Sequence, residues 1–196
     1  MTEERILLLG CGILRKEIRH LIAKNNWALD TFFIDSMLHV DFEALESALR
    51  KALARNAGRR ILVFYGTCHP LMDQLLQEAA VARTTGQNCV EMLLGNEKFT
   101  HELSNGAYFL LEDWALRWDY MILKTFGTNP TVTSAIFQGD RSNFLCLRTP
   151  CSGDYTAQAE AVSHQIGLPL RWLDVSLEHL EAYLSDAITS MNRVAQ

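Results

Sequence analysis

Residues 6–12 read Ile-Leu-Leu-Leu-Gly-Cys-Gly, and this stretch decides the fold class. A short apolar run that ends in glycine is typical of a buried parallel strand. The same pattern returns at residues 61–66, which read Ile-Leu-Val-Phe-Tyr-Gly. Segments with helical periodicity separate such runs, and strands that alternate with helices indicate a parallel sheet. We therefore predict a three-layer α/β fold with a mostly parallel sheet, either in one body or in two lobes.

Capping residues place two of the helices. Asp41 predicts the start of a helix that reaches about Arg55. Asn88, with Glu91 three residues later, fits the spacing of a capping box and predicts a helix that starts at Cys89. Other helices are predicted over residues 13–24, 71–81 and 157–166. One more runs from an aromatic-rich segment at 106–118 to about residue 126, and another begins after residue 176. Strands are predicted over residues 30–35, 143–148 and 168–175.

The composition limits the classes of function. The length of 196 residues suits a single α/β domain over residues 1–196, with a helical insertion at about 96–140 as an alternative. The net charge is −5, and the basic residues do not cluster, so we expect no nucleic-acid partner. We see no signal peptide and no apolar run near the roughly 20 residues that span a membrane, so we expect a cytoplasmic protein. Its five cysteines should then be reduced thiols.

Three cysteines lie where an α/β fold carries its functional groups. Cys11 and Cys68 follow the two apolar strands, and Cys89 begins a predicted helix, where the macrodipole should favour the thiolate. The loops after parallel strands lie at one edge of a sheet, so a shared site for the three thiols is our hypothesis, and the sequence leaves open whether the three loops meet. Thiolates suit a soft transition metal or an iron–sulfur cluster. Three of them leave a fourth position open, and His39 is the candidate for it.

Several further residues are candidates for binding a cofactor at the same edge. A glycine pair around Cys11 forms a partial dinucleotide-binding motif, which lacks its third glycine because position 15 is arginine. An aromatic segment either lines a flat cofactor pocket or belongs to the core. The cofactor-binding candidates are Gly10, Gly12, Tyr65, Gly66 and Trp114. The partner that we expect from these residues is a small molecule or a tetrapyrrole-type partner, and a homo-oligomer stays open.

The motifs around these residues resemble a known family. They are Cys11-Gly12, Leu38-His39, Tyr65-Gly66-x-Cys68, Cys89 with Leu93-Leu94-Gly95, and Gly106-x-Tyr108-x-Leu110 with Trp114. This set resembles the bacterial and archaeal family catalogued as domain of unknown function 1638, over about residues 6–185. The resemblance implies a place near the corrinoid-dependent methyltransferase systems of anaerobes, and so a role in one-carbon metabolism with a corrinoid-type cofactor or protein as partner. It implies no particular reaction.

The chain departs from that family's pattern at three places. His69-Pro70 stands where a glycine is usual, and Asn88 stands where an aspartate is usual. Residues 111–113, Leu-Glu-Asp, replace a segment that usually holds a threonine and a glycine. These changes keep the three thiols and alter the expected shape of the pocket.

Three other functions are compatible with the sequence. A non-enzymatic carrier or accessory protein for a cofactor would use the same thiols without turnover. A metal-free thiol enzyme would use Cys68 or Cys89 as its nucleophile, with His69 or His39 as the base. We expect His69, beside a proline in a turn, to be solvated. A dinucleotide-dependent oxidoreductase would use the glycine turn, with Asp35 at the ribose.

Overall fold

The computed structural model describes residues 5–79 and 81–194. Contacts within the chain divide it into two compact units, which we call unit 1 (residues 1–93 and 177–196) and unit 2 (residues 94–176). Each unit has its own parallel sheet, so the predicted α/β class with parallel strands is confirmed in its two-lobed form. The alternative insertion, residues 96–140, falls inside unit 2. Among the described residues, no helix is long and apolar enough to cross a membrane.

One or more helices separate each strand from the next along the chain. In chain order they are β1 (Ile6–Cys11), α1 (Arg15–Asn25), β2 (Leu29–Ile34), α2 (Phe42–Arg55), β3 (Ile61–Phe64), α3 (Met72–Glu78), β4 (Ala82–Arg83), α4 (Cys89–Leu94), α5 (Asn96–Ser104), β5 (Ala107–Leu110), α6 (Glu112–Leu116), α7 (Trp118–Phe126), α8 (Pro130–Asp140), β6 (Asn143–Arg148), α9 (Thr156–Ile166), β7 (Leu170–Asp174) and α10 (Glu178–Val194), with short 3-10 helices at Gly12–Leu14 and Ser36–Val40.

The sheet of unit 1 has the strand order β2-β1-β3-β4, and all its strands are parallel. From β1 the chain first moves to one neighbour, β2, and then returns to the other side as β3. Gly10 of β1 pairs with Phe64 of β3, and Cys11 pairs with Ile34 of β2. The strand order therefore reverses between β1 and β3. In open parallel sheets, ligands bind at this reversal, beyond the carboxyl ends of the strands.

Helices cover both faces of the sheet in unit 1. Successive strand residues point to opposite faces. Ile61 of β3 lines one cavity together with Leu53 of α2 and Leu75 of α3, whereas Leu62 lines another together with Ala187 of α10. The α2 helix begins where the sequence predicts, because the side chain of its N-cap, Asp41, accepts a hydrogen bond from the third residue of the helix. Unit 1 thus has the expected three layers.

Unit 2 has a three-stranded parallel sheet in the order β5-β6-β7. One face of β5 presents Tyr108, which packs edge-on against Trp118 of α7, and the other presents Phe109, which stacks on Phe99 of α5. The prediction of one helix from the aromatic segment to residue 126 is therefore wrong, since β5 precedes α6 and α7. Both faces of β5 are covered by helices, so its sequence lacks the alternation that marks a half-exposed strand.

Candidate functional site

Cys11 is the last residue of β1, at the reversal point of the sheet in unit 1. Close packing accounts for the glycines on both sides of it. A Cβ atom at Gly12 would lie 3.0 Å from the Ile34 carbonyl oxygen of β2, and one at Gly10 would lie 3.3 Å from the Phe64 Cβ of β3. These small residues let the end of β1 fit between its two neighbours. The cofactor-binding role of Gly10 and Gly12 stays a prediction.

The loop that carries Cys68 is held against the segment that leads to Cys89. The Thr67 backbone N–H donates a 2.8 Å hydrogen bond to the Gln87 carbonyl oxygen, and the Thr67 hydroxyl donates to the same oxygen at 3.1 Å. A Cβ atom at Gly66 would lie 2.2 Å from that carbonyl, which is far inside van der Waals contact. Only glycine at position 66 therefore allows the two loops to lie this close.

Cys89 is the first residue of α4, as the sequence predicts. The Asn88 side chain accepts a 2.9 Å hydrogen bond from the Glu91 backbone N–H, which confirms Asn88 as the cap. The Glu91 carboxylate reaches back to the Gln87 backbone N–H at 2.6 Å. Its other oxygen accepts a 3.2 Å bond from the Tyr183 hydroxyl of α10. Glu91 is thus a buried link between the C-terminal helix and the Cys89 segment, and no sequence pattern pointed to this link.

The three thiols converge in unit 1, and we refer to Cys11, Cys68 and Cys89 as the thiol cluster. The Cys89 thiol interacts by hydrogen bonding with the thiols of both Cys11 and Cys68. These interactions and complete burial raise the pKa of Cys89 well above its ordinary value. The prediction that the helix start would favour a Cys89 thiolate is therefore wrong. Contacts with two neighbouring sulfurs outweigh the dipole of a helix of only six residues.

Within the thiol cluster, Cys89 gives up its proton less readily than Cys68 does. The Cys89 thiol donates a hydrogen bond to it, and this is the main cause that lowers the pKa of Cys68 to about 7. A hydrogen bond from the Gly66 backbone and the positive charge of Arg83 act in the same direction, against the effect of burial. Cys68 is half-buried, whereas Cys11 and Cys89 are each only 7% exposed. The cluster thus presents one accessible thiolate in front of two buried sulfurs.

Tyr65 places a phenol beside the thiol cluster. It directly follows β3, is 1% exposed, and its buried hydroxyl interacts with the Cys11 thiol. Burial first, and then negative charge on Cys11, Cys89 and Cys68, raises the pKa of the phenol far above its ordinary value. The hydroxyl therefore stays protonated, and it is available as a donor to a group held by the cluster.

The two candidate histidines have different environments. The Nδ1 atom of His39 lies 2.6 Å from the Ser36 carbonyl oxygen, in the 3-10 helix after β2. Its role as a fourth ligand stays a prediction. His69 is only 5% exposed, so the expectation that it is solvated is wrong. Its Nδ1 accepts a 3.0 Å hydrogen bond from the Leu71 backbone N–H, and its Nε2 lies 4.0 Å from a carboxylate oxygen of Glu46.

The thiols are neighbours, but they are not yet arranged as metal ligands. Within residues 5–79 and 81–194, no three His, Cys, Asp or Glu side chains surround one point as a metal site would require. Trp114, a further candidate, lies on α6 in unit 2.

The pH dependence of alkylation tests the assignment of the thiolate. Iodoacetamide reacts with thiolates, so modification of Cys68 in the metal-free protein should be half-maximal near pH 7 and about tenfold slower at pH 6 than at pH 8. Loss of the Cys89 donor should move this profile to higher pH in Cys89→Ala. Peptide mapping by mass spectrometry measures the modification of each cysteine. An unchanged profile in Cys89→Ala would contradict the assignment.

A family described as Protein of unknown function (DUF1638) matches residues 33–184. The chain belongs to this family. The match confirms the resemblance stated from the motifs. The region of the chain that matches the DUF1638 family includes Cys68 and Cys89 but begins after Cys11. Comparisons with curated proteins and with solved structures gave no significant match. The family assignment adds no activity, so function has to be argued from the thiol cluster itself.

Proposed function

We propose that the protein binds a soft metal centre, a transition metal ion or an iron–sulfur cluster, through Cys11, Cys68 and Cys89. The observation that carries this proposal is the meeting of three free thiols at the point where the strand order reverses in unit 1. Each thiol comes from a different segment of the chain. Their meeting therefore depends on the fold, unlike the local spacing of a Cys-x-x-Cys motif.

The donor set fits this chemistry. Sulfur ligands select zinc, copper(I) and iron–sulfur clusters over hard cations, which prefer oxygen. The thiols must lose their protons to bind, and Cys68 does so near neutral pH. The positive charge of Arg83 acts on Cys68 and offsets part of the negative charge of three thiolates. The Tyr65 hydroxyl would donate a hydrogen bond to a sulfur or to a bound ligand, as outer groups around metal sites commonly do.

The arrangement also favours a reactive centre over a structural one. Structural zinc sites are closed by four protein ligands, whereas three protein ligands leave a position for a substrate. Cys68 is the most exposed member of the cluster, so a ligand would approach the centre from the side of Cys68. In that position the centre would act as a Lewis acid on a thiol or on a methyl acceptor. The link to corrinoid and one-carbon metabolism stays a prediction.

A cytoplasmic location is part of the same proposal. No disulfide joins any of the five cysteines, all of which lie within the described residues, and reducing compartments keep thiols in the form that binds metal. Oxidation during purification would remove the ligands, so the protein should be isolated without oxygen.

Metal analysis and a Co²⁺ titration of the reduced, metal-free protein test the proposal. We expect about one equivalent of Co²⁺ to bind, with strong near-ultraviolet absorption from thiolate-to-metal charge transfer. The anaerobically purified chain should also contain stoichiometric metal, and acid-labile sulfide would distinguish an iron–sulfur cluster from a single ion. Cys151→Ser, which changes a half-buried cysteine of unit 2, is the matched control and should bind like the wild type. Absence of stoichiometric metal together with absence of the absorption band would refute the proposal.

A further inference from the structure

We propose that the metal-free protein also carries out thiol–disulfide exchange with low-molecular-weight disulfides, with Cys68 as the attacking residue and Cys89 as the resolving residue. This activity goes beyond metal binding and does not depend on it. It uses two sulfurs of the thiol cluster and leaves Cys11 as a thiol. The expected substrates are small disulfides of the glutathione class, because a small disulfide can reach a half-buried sulfur.

Accessibility decides which thiol attacks. Cys68 is half-buried in the loop after β3, whereas Cys11 and Cys89 are each 7% exposed. An incoming disulfide therefore meets Cys68 first. Cys146, in the middle of β6, is fully buried and is not a competitor. Cys151 of unit 2 is half-buried, but no thiol of the cluster belongs to its unit.

The contact between Cys68 and Cys89 decides which thiol resolves. The segment that carries Cys68 packs directly against the one that carries Cys89, since a Cβ atom at Gly66 would lie 2.6 Å from the Asn88 Cα atom. The two thiols also interact with each other. The hydrogen bonds from Thr67 to Gln87 fix the backbone on either side of this pair. Cys11 also contacts Cys89, but it lies in the strand ladder between β2 and β3, which restricts its movement. The pair that can close with least rearrangement is Cys68 with Cys89.

The two steps balance without any further reagent. In the first, Cys68 releases its proton to water and its sulfur attacks one sulfur of the small disulfide, which forms a mixed disulfide and expels one thiolate. In the second, Cys89 loses its proton and attacks the Cys68 sulfur, which forms the Cys68–Cys89 bond and expels the second thiolate. The protons pass to the two expelled thiolates. The protein loses two electrons and the small disulfide gains them.

This activity would affect the proposed metal site, and that effect is the part of the inference that rests on the proposed function. A Cys68–Cys89 disulfide would remove two of the three thiolate ligands. Oxidation and metal loading would then exclude each other. Reduction by a dithiol would restore the site.

Oxidised glutathione and the metal-free, reduced chain provide the test. We expect two molecules of reduced glutathione released per chain, and peptide mapping should find a Cys68–Cys89 disulfide with Cys11 still alkylatable. Cys89→Ser should stop at a single glutathione adduct on Cys68. Cys68→Ser should react at least about tenfold more slowly, since the remaining cluster thiols are buried. Cys151→Ser is the matched control and should react like the wild type.

Three results would overturn the inference. They are a Cys11–Cys89 bond as the main product, a failure of Cys89→Ser to accumulate the adduct, and a rate in Cys68→Ser equal to that of the wild type. Near-ultraviolet circular dichroism of each variant checks that it is folded, and mapping of the wild-type product supports or refutes the pairing even if a variant does not fold. Because the assay contains no metal, its result is separate from that of the metal titration.

Discussion

Cys89→Ser is expected to weaken soft-metal binding by about a hundredfold or more, whereas Cys151→Ser should leave it unchanged. Groups that only support a metal ligand already contribute 10- to 100-fold to affinity, so loss of a ligand should cost at least as much. Cys89 should matter most because its thiol contacts both other members of the cluster. A hydroxyl at this place is a hard donor that binds soft metals poorly.

Competition between the protein and a chromophoric chelator for Cd²⁺ measures this affinity. Cys11→Ser and Cys68→Ser should also weaken binding, since each removes one thiolate of the same centre. The free energy of unfolding of each metal-free variant should be measured alongside, because Cys89 is buried and a serine there could change stability by itself. Wild-type affinity in a folded Cys89→Ser protein would show that Cys89 is not a ligand.

Gly66→Ala is expected to destabilise the protein by about 3 kcal/mol and to separate Cys68 from Cys89. A methyl group at this position would lie 2.2 Å from the carbonyl oxygen of Gln87, which is backbone and cannot rotate away. The loop after β3 must therefore move, and the hydrogen bonds from Thr67 to Gln87 would be lost. The pKa of Cys68 should then rise, because the interaction with the Cys89 thiol is the main cause that lowers it.

Gly139→Ala is the matched control for this substitution. Gly139 lies in α8, and a Cβ atom there would have nothing within 4 Å. Alanine is favoured over glycine inside a helix by up to about 1 kcal/mol, so this variant should be as stable as the wild type or more so. Urea unfolding compares the two variants, and the alkylation profile of Cys68 reports the separation of the thiols. If Gly66→Ala unfolds at the same urea concentration as Gly139→Ala, the close approach at Gly66 does not constrain the fold.

The strand pattern predicted the edge placement of the cysteines but left open whether the three thiols meet. Apolar runs that end near Cys11 and Cys68 place both residues at the carboxyl edge of a parallel sheet, and the cap at Asn88 places Cys89 at a helix start. Each of these signals is local. The reversal of strand order between β1 and β3 is what brings them to one point.

The chemical character of the site was less predictable. Which thiol ionises depends on the direction of a hydrogen bond between Cys89 and Cys68, and no sequence pattern records that direction. The same holds for Glu91, whose partner Tyr183 lies 92 residues further along the chain. The strand β5 was missed for a different reason, because covered faces on both sides remove the periodicity that distinguishes a strand from a helix.

The Glu91–Tyr183 hydrogen bond also bears on when unit 1 is completed during synthesis of the chain. Unit 1 begins near the N-terminus and is completed only by α10 (Glu178–Val194), while residues 94–176 form unit 2 between its two parts. During translation, Cys11, Cys68 and Cys89 leave the ribosome long before the helix that anchors Glu91 does. Until residue 183 has been synthesised, the three thiols therefore belong to a unit that lacks the helix contacting Glu91. Delivery of a metal to a finished site would be a step that follows synthesis.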